Sequence, residues 1–147
     1  MKLIFVRDKG QMCNNIIQFA HAYAWAREHN IRAVSMRFDY KYRHFAICRT
    51  KYHRPIVYLL AKTAAALKLI PTVDYHDFSP ELYAANERRL LSHDGPCVLQ
   101  GWGVRHFDLV EKYLDDIRRL FQITAPTSAT TAAMPATVPG ASAPGPA

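Results

Sequence analysis

The segment KGQMCNNIIQFAHAYAWAREHN, residues 9–30, decides how the chain folds. It follows a short apolar run, Leu3-Ile4-Phe5-Val6, and a charged triplet, Arg7-Asp8-Lys9. The run has the length of a buried strand, whereas Ile16, Phe19, Ala20, Tyr23 and Ala26 recur at helical spacing from about Asn14 to His29. Between the two stand Gly10, Gln11, Asn14 and Asn15, more turn-forming and amide residues than a plain connection needs. Gly10 permits a tight turn or the close approach of a ligand to the backbone. Asn14 is placed to cap the helix, which leaves first-turn N–H groups facing the loop, where an anion is preferred. The plainer reading is a capped helix after a turn, since one glycine is a weak phosphate signal beside a full Gly-x-Gly-x-x-Gly.

Outward from this segment the alternation of strand and helix repeats. Apolar or β-branched runs predict strands at about 2–6, 32–36, 71–75 and 96–100. A second helix follows Pro55 through Ile56, Leu59, Leu60, Ala64 and Leu67. A third opens at Ser79-Pro80-Glu81, with Ser79 as cap and Glu81 at the positive end of the helix dipole. A fourth, capped by Asp108, carries Val110, Tyr113, Leu114, Ile117, Leu120 and Phe121, with Arg118 and Arg119 in its last turn. Four strand–helix pairs predict an α/β fold, a Rossmann-like parallel sheet with right-handed crossovers and helices on both faces. Ligands of such sheets bind beyond the carboxyl ends of the strands, where the Arg7–Asn15 loop lies.

Composition changes after Gln122. Residues 123–147 are mostly Ala, Thr, Ser, Pro and Gly without a charge, so the expectation is a folded domain over 1–122 and a disordered Ala/Pro/Thr-rich tail. The formal charge of +7 falls on the folded part and points to an anionic partner. Cys13, Cys48 and Cys97 are odd in number and far apart, which speaks for a reducing compartment. The opening apolar run is too short for a secretory signal, and Lys62 and Lys68 interrupt the most apolar stretch, Ile56–Ile70. The expected location is the cytoplasm, either free or peripheral at the inner face of the membrane.

Two stretches resemble one known family. CNNIIQFAHAYAWAREHN is similar to the opening of the bacterial alpha-1,2-fucosyltransferases, where the first strand is followed by Gly-Asn-Gln-Met-Phe-Gln-Tyr-Ala and an Ala-rich helix. Asn14, Gln18, Phe19, Ala20, Ala24 and Ala26 fall on family positions, while Cys13 stands in place of a glycine and Asn15 in place of a glutamine. VLQGWGVRHFDLVEKYLDDIRRLF resembles a later strand and helix, through Gly101, Trp102, Lys112, Tyr113, Ile117, Arg118 and Phe121. The resemblance covers the N-terminal half of that family, the acceptor-side domain of a GT-B-type fold.

It implies transfer of fucose from GDP-fucose to an oligosaccharide acceptor, with no cofactor. It would put Gly10, Gln11, Asn14, Asn15 and Gln18 at the donor cleft, with Trp102, Arg105 and His106 along its acceptor side. The family's His-x-Arg-Arg-x-Asp donor segment has no counterpart before residue 123, so the resemblance also implies a truncated or frameshifted enzyme that is inactive alone. The general base is not identifiable.

The remaining candidates are read from residue types. Asp74 and His76, with Asp77, form either an acid–base cluster at the ligand edge or an ordinary Asp-rich strand end. Gly101-Trp102-Gly103, beside Arg105 and His106, reads as a sugar-stacking platform or as a turn with Trp102 plugging the core. His21 is expected to pack against the sheet. Arg27 to Arg54 holds eight basic residues and two acidic ones, including a patch of Arg37, Lys41, Arg43, Arg49 and Lys51. Phe38, Tyr40, Tyr42, Phe45 and Tyr52 are interleaved with them. That composition suits a solvated face, a glycan or another polyanion, and makes a non-enzymatic basic domain the alternative function. No RNA-binding module signature favours nucleic acid. His44, Cys48 and His53 lack a fourth ligand and sit among cations, so no metal is expected.

Overall fold

The computed structural model describes residues 2–7, 10–38 and 41–124. Asp8, Lys9, Asp39, Tyr40 and the expected tail from residue 125 onward lie outside the described residues.

Four strands, β1 (Leu3–Arg7), β2 (Arg32–Ser35), β3 (Thr72–Asp74) and β4 (Pro96–Gln100), form one sheet in the order β2-β1-β4-β3, with every pair parallel. Among the described residues five α-helices accompany them: α1 (Met12–Glu28), α2 (Pro55–Ala66), α3 (Pro80–Ser92), α4 (Phe107–Lys112) and α5 (Leu114–Leu120). Alternation along the strands sends side chains to opposite faces. Ile4, Val6, Ala33, Val73, Cys97 and Leu99 meet Phe19, Ala22, Trp25 and Ala26 of α1 and Leu90 of α3. Phe5, Val34 and Val98 meet Ala61 of α2, with Val57, Tyr58 and Ala65 beside it. Both faces are therefore covered, which is why the strands read as unbroken apolar runs.

The order and the faces give all three crossovers the same hand. β1 to β2 and β3 to β4 step one way over one face through α1 and α3. β2 to β3 steps the other way over the opposite face through α2. Twisted strands favour the right-handed sense. Each fully buried core side chain, such as Phe19, Ile4 or Leu99, contributes on the order of 1.5–3 kcal/mol.

Three boundaries differ from the sequence reading. α1 begins at Met12, and Gln11, not Asn14, holds the cap position, without a side-chain hydrogen bond. Gly10, at φ +95°, turns the chain early enough for Asn15 N–H to bond the Gln11 carbonyl at 3.0 Å. The fourth predicted helix is two, interrupted at Tyr113, whose hydroxyl donates to Glu28 Oε2 at 2.8 Å, and its cap position is His106 and not Asp108. Ordered contacts also pass Gln122: Ile123 bridges Phe45, and Thr124 N–H donates to the His44 carbonyl at 2.7 Å. The third helix is as expected, with Ser79 Oγ accepting Leu82 N–H at 3.3 Å. No helix among the described residues is long and apolar enough to cross a membrane.

Candidate functional site

β1 and β4 are neighbours at the centre of the sheet, so the loops leaving their carboxyl ends adjoin. Gln18, on the second turn of α1, donates Nε2–H to the Gly101 carbonyl at 2.7 Å. A Cβ on Gly10 would come within 3.3 Å of Trp102 Cζ2. These contacts lock the first loop and the start of α1 onto the Gly101–His106 loop.

The β3–α3 loop forms the third side. Tyr75 N–H donates to the Gln100 carbonyl and Gly103 N–H to the Tyr75 carbonyl, both at 2.8 Å. Gly101 adopts φ +101°, and a Cβ there would sit 2.4 Å from the Tyr75 oxygen. At Gly103 a Cβ would meet the Asp77 oxygen at 2.2 Å. Both glycines are thus required by backbone proximity.

Two side chains under this edge are buried and incompletely bonded. Asn15 is fully buried with neither Oδ1 nor Nδ2 hydrogen-bonded among the described residues, and Gln18 Oε1 is in the same position. Asn15 lies one turn before Phe19 on the sheet-facing side of α1. A buried amide without partners costs about 1–3 kcal/mol, so Asn15 is an unfavourable residue for the fold at this strand-to-helix junction. Gln11 and Asn14 are exposed.

Trp102 is 37% exposed and is not a core plug. Beside it, Arg105 lies 5.9 Å above the ring of Phe78, itself well exposed, and its backbone N–H donates to the Tyr83 hydroxyl at 2.6 Å. His106 N–H donates to His21 Nδ1 at 2.9 Å. Because that nitrogen accepts, neutral His21 carries its proton on Nε2. Burial and then the nearby Arg105 charge push its pKa down to about 4. His21 is therefore a fixed strut of the loop, its ring edge-on to Phe107 at 5.0 Å, and it packs there and not, as expected, against the sheet. Burial likewise lowers His106, whose ring tilts toward Trp25 and Tyr83.

Asp74 and His76 do not form one cluster. Asp74 accepts the Gln100 amide at 2.8 Å, and its carbonyl accepts Asn86 Nδ2–H at 2.9 Å. His76 is exposed, with Nε2 3.6 Å from Asp77 Oδ2, while Asp77 accepts Ser79 N–H at 2.8 Å. Asp74 thus serves the structure of the edge, and His76 stands apart from it.

The basic segment leaves the end of β2. Lys41, Arg43, Arg49 and Lys51 are exposed and Arg37 is half-buried. Of the described aromatics between them, Phe38 and Phe45 turn into the core, while Tyr42 and Tyr52 lie under Lys41 and Lys51 at 5.6 and 5.7 Å. Phe38 and Phe45 are buried and pack on Phe121 with ring centroids 5.0 and 5.9 Å apart. Tyr42 packs on Phe38, and Tyr52 lies under Arg32 at 4.6 Å. A ladder of exposed stacking rings is therefore not formed by these four.

Two of the three residues weighed as metal ligands, Cys48 and His53, hold backbone instead. Cys48 Sγ donates to the Phe38 and Tyr42 carbonyls. His53 Nε2 accepts Ser35 N–H at 2.9 Å, and Nδ1–H donates to Thr50 Oγ1 at 2.5 Å. Burial brings the His53 pKa down to about 4. His44 is exposed.

Sequence reasoning missed Tyr83, Tyr75, Asn86 and Phe78, which complete the loop walls. Each acts through a contact between distant segments, for which local sequence carries no signal. No protein family, no curated protein and no solved structure matches the chain.

Proposed function

We propose that this chain is the acceptor-side, Rossmann-like domain of a fucosyltransferase-like glycosyltransferase, and that it binds a nucleotide sugar at the β1–β4 edge. One observation carries this reading. The two stretches that resemble the family, far apart in the chain, interlock at the Gln18–Gly101 hydrogen bond, and Gly10, just before the first, closely approaches Trp102 of the second. The start of α1 supplies backbone N–H donors for an anionic ligand, and the unbonded Asn15 amide and Gln18 oxygen lie buried beneath them. Trp102 supplies an apolar wall beside the Arg105 cation. GDP-fucose is the donor that the resemblance implies, and an oligosaccharide is the acceptor.

The chain on its own is expected to bind GDP weakly, on the order of millimolar, and to transfer no fucose. Transfer requires donor and acceptor held in line and charge neutralised on the leaving diphosphate. The family's donor-side arginine segment has no counterpart within these residues. Titration of isotope-labelled protein with GDP tests the site. Amide shifts should concentrate at Gly10–Gln18 and Gly101–His106. A titration that leaves these two segments unmoved overturns the proposal, as does measurable fucosyl transfer by the chain alone for the incomplete-enzyme part of it. Shifts confined to Arg37–Lys51 with heparin would instead favour the polyanion-binding alternative, against which the burial of Phe38 and Phe45 weighs.

A further inference from the structure

α2 is apolar on two sides. Val57, Tyr58, Ala61 and Ala65 face the sheet, where Phe5, Val34 and Val98 receive them. The outward side repeats Ile56, Leu59, Leu60, Thr63 and Leu67, the spacing of one helical stripe, all exposed. Ile56, Leu59, Leu60 and Leu67 are 58, 55, 63 and 64% exposed, and Leu69 just beyond is 72%. A two-sided apolar helix needs something against its second side.

The charge around the stripe selects the occupant. From Lys41 to Val73 there is no Asp or Glu, while the stretch holds seven Lys and Arg residues. Arg54 occupies the cap position of α2, Lys62 lies on the helix with its ammonium 5.8 Å from the Tyr58 ring, and Lys68 follows its end. An open groove of about 790 Å³ adjoins that end, lined by Lys68, Arg89, His93, Ser92 and Thr72 among others, with no carboxylate. A second copy docked by the same face would bring one cationic rim without carboxylates against another. Protein interface cores are also depleted in lysine. An apolar stripe rimmed by cations suits an anionic lipid surface on both counts.

We propose that the outer face of α2 seats on an anionic bilayer, with Ile56, Leu59, Leu60 and Leu67 at the acyl boundary and Arg54, Lys62 and Lys68 at the headgroups. α2 covers the sheet face opposite α1 and α3, so this seating leaves the β1–β4 edge open. The inference rests on the exposed face and not on the sugar-transfer reading.

Flotation of the full chain with vesicles tests it, using phosphatidylcholine alone and an equimolar mixture with phosphatidylglycerol. The protein should float with the mixed vesicles at low salt, be released by added salt, and leave phosphatidylcholine vesicles largely unbound. Leu59→Ser with Leu60→Ser should weaken binding at least about tenfold while the melting temperature stays put, because both side chains are exposed. Lys62→Gln and Lys68→Asn should each cost about fivefold. Failure to float with mixed vesicles at low salt overturns the proposal, and so does undiminished binding by the double serine variant. Sedimentation showing a wild-type dimer that this variant abolishes would assign the face to a second copy instead.

Discussion

Gln18 and Gly101 are joined by a 2.7 Å hydrogen bond across 83 residues of sequence. The bond ties the second turn of α1 to the turn that follows β4, and so fixes the relative position of the two central loops. Gly101 can offer its carbonyl there because its backbone takes φ +101° while the Tyr75 carbonyl passes close to its Cα. The edge is thus held by one side-chain amide, one left-handed glycine and one neighbouring strand end.

Substitution at the two left-handed glycines should separate tight packing from backbone conformation. Gly101→Ala sets a methyl 2.4 Å from the Tyr75 oxygen and 2.8 Å from Asp74 Oδ1, against backbone that cannot turn away. It is expected to cost about 3 kcal/mol or more. Gly10→Ala, at φ +95°, meets only side chains, the edge of the Trp102 ring at 3.3 Å and Asn14 Nδ2 at 3.4 Å, and should cost about 1 kcal/mol. Urea unfolding of the two variants checks the ordering, and equal costs would refute it.

Acid should destabilise the fold through two buried imidazoles. His53 and His21 each accept a backbone N–H, from Ser35 and His106, so a proton on the accepting nitrogen would face a donor. Their pKa values are near 4 in the fold and 6.5 in the unfolded chain. The unfolded chain therefore binds protons first as pH falls. The stabilisation is complete above pH 6.5 and is lost progressively as pH falls toward and through about 4. His53→Gln keeps an acceptor for Ser35 and removes one titration, so its melting temperature should fall less steeply across that window than that of the wild type. Parallel profiles would show that His53 does not titrate in this way.

The sheet was legible because strands covered on both faces are continuous apolar runs, and α3 because Ser79-Pro80-Glu81 states its own start. The start of α1 was harder. A positive φ at Gly10 makes Gln11 the cap, although Asn14 is the better capping residue by type. The interruption at Tyr113 follows a hydroxyl contact with Glu28 on another helix, and no local pattern carries it. At the site, Gly10 and Gly101-Trp102-Gly103 were visible as punctuation, but the demand for glycine at 101 and 103 comes from the β3–α3 loop. Likewise Phe38 and Phe45 read as interleaved with cations until Phe121, far along the chain, supplies the surface that buries them.

The short strand-like contact past Gln122 should matter for stability. Ala46 N–H donates to the Gln122 carbonyl at 2.9 Å and Thr124 N–H to the His44 carbonyl at 2.7 Å, and they hold the loop whose Phe45 enters the core. A chain ending at Phe121 should be less stable than one ending at Thr124 by about 1–3 kcal/mol. Thermal melts of the two truncations decide the matter. Identical melting would mean that the Phe45 loop holds itself without this segment.

The sharpest expectation concerns Asn15. Its amide is fully buried on the sheet side of α1 with no hydrogen bond among the described residues, next to Phe19 and below the first loop. An amide in that setting opposes folding, because desolvation is not offset by partners. Leucine keeps the same branching and number of heavy atoms, carries no polar atom, and has the higher helix propensity. Asn15→Leu should therefore leave stability unchanged or raise it, by up to about 2 kcal/mol. If the amide is retained to meet a polar ligand, the same change should abolish the GDP-induced shifts at Gly10–Gln18. A gain in stability together with a loss of binding is the signature of a residue kept for function at a cost to the fold. A loss of stability on Asn15→Leu would instead reveal a structural role for the amide, and intact GDP binding by a stable variant would remove Asn15 from the site.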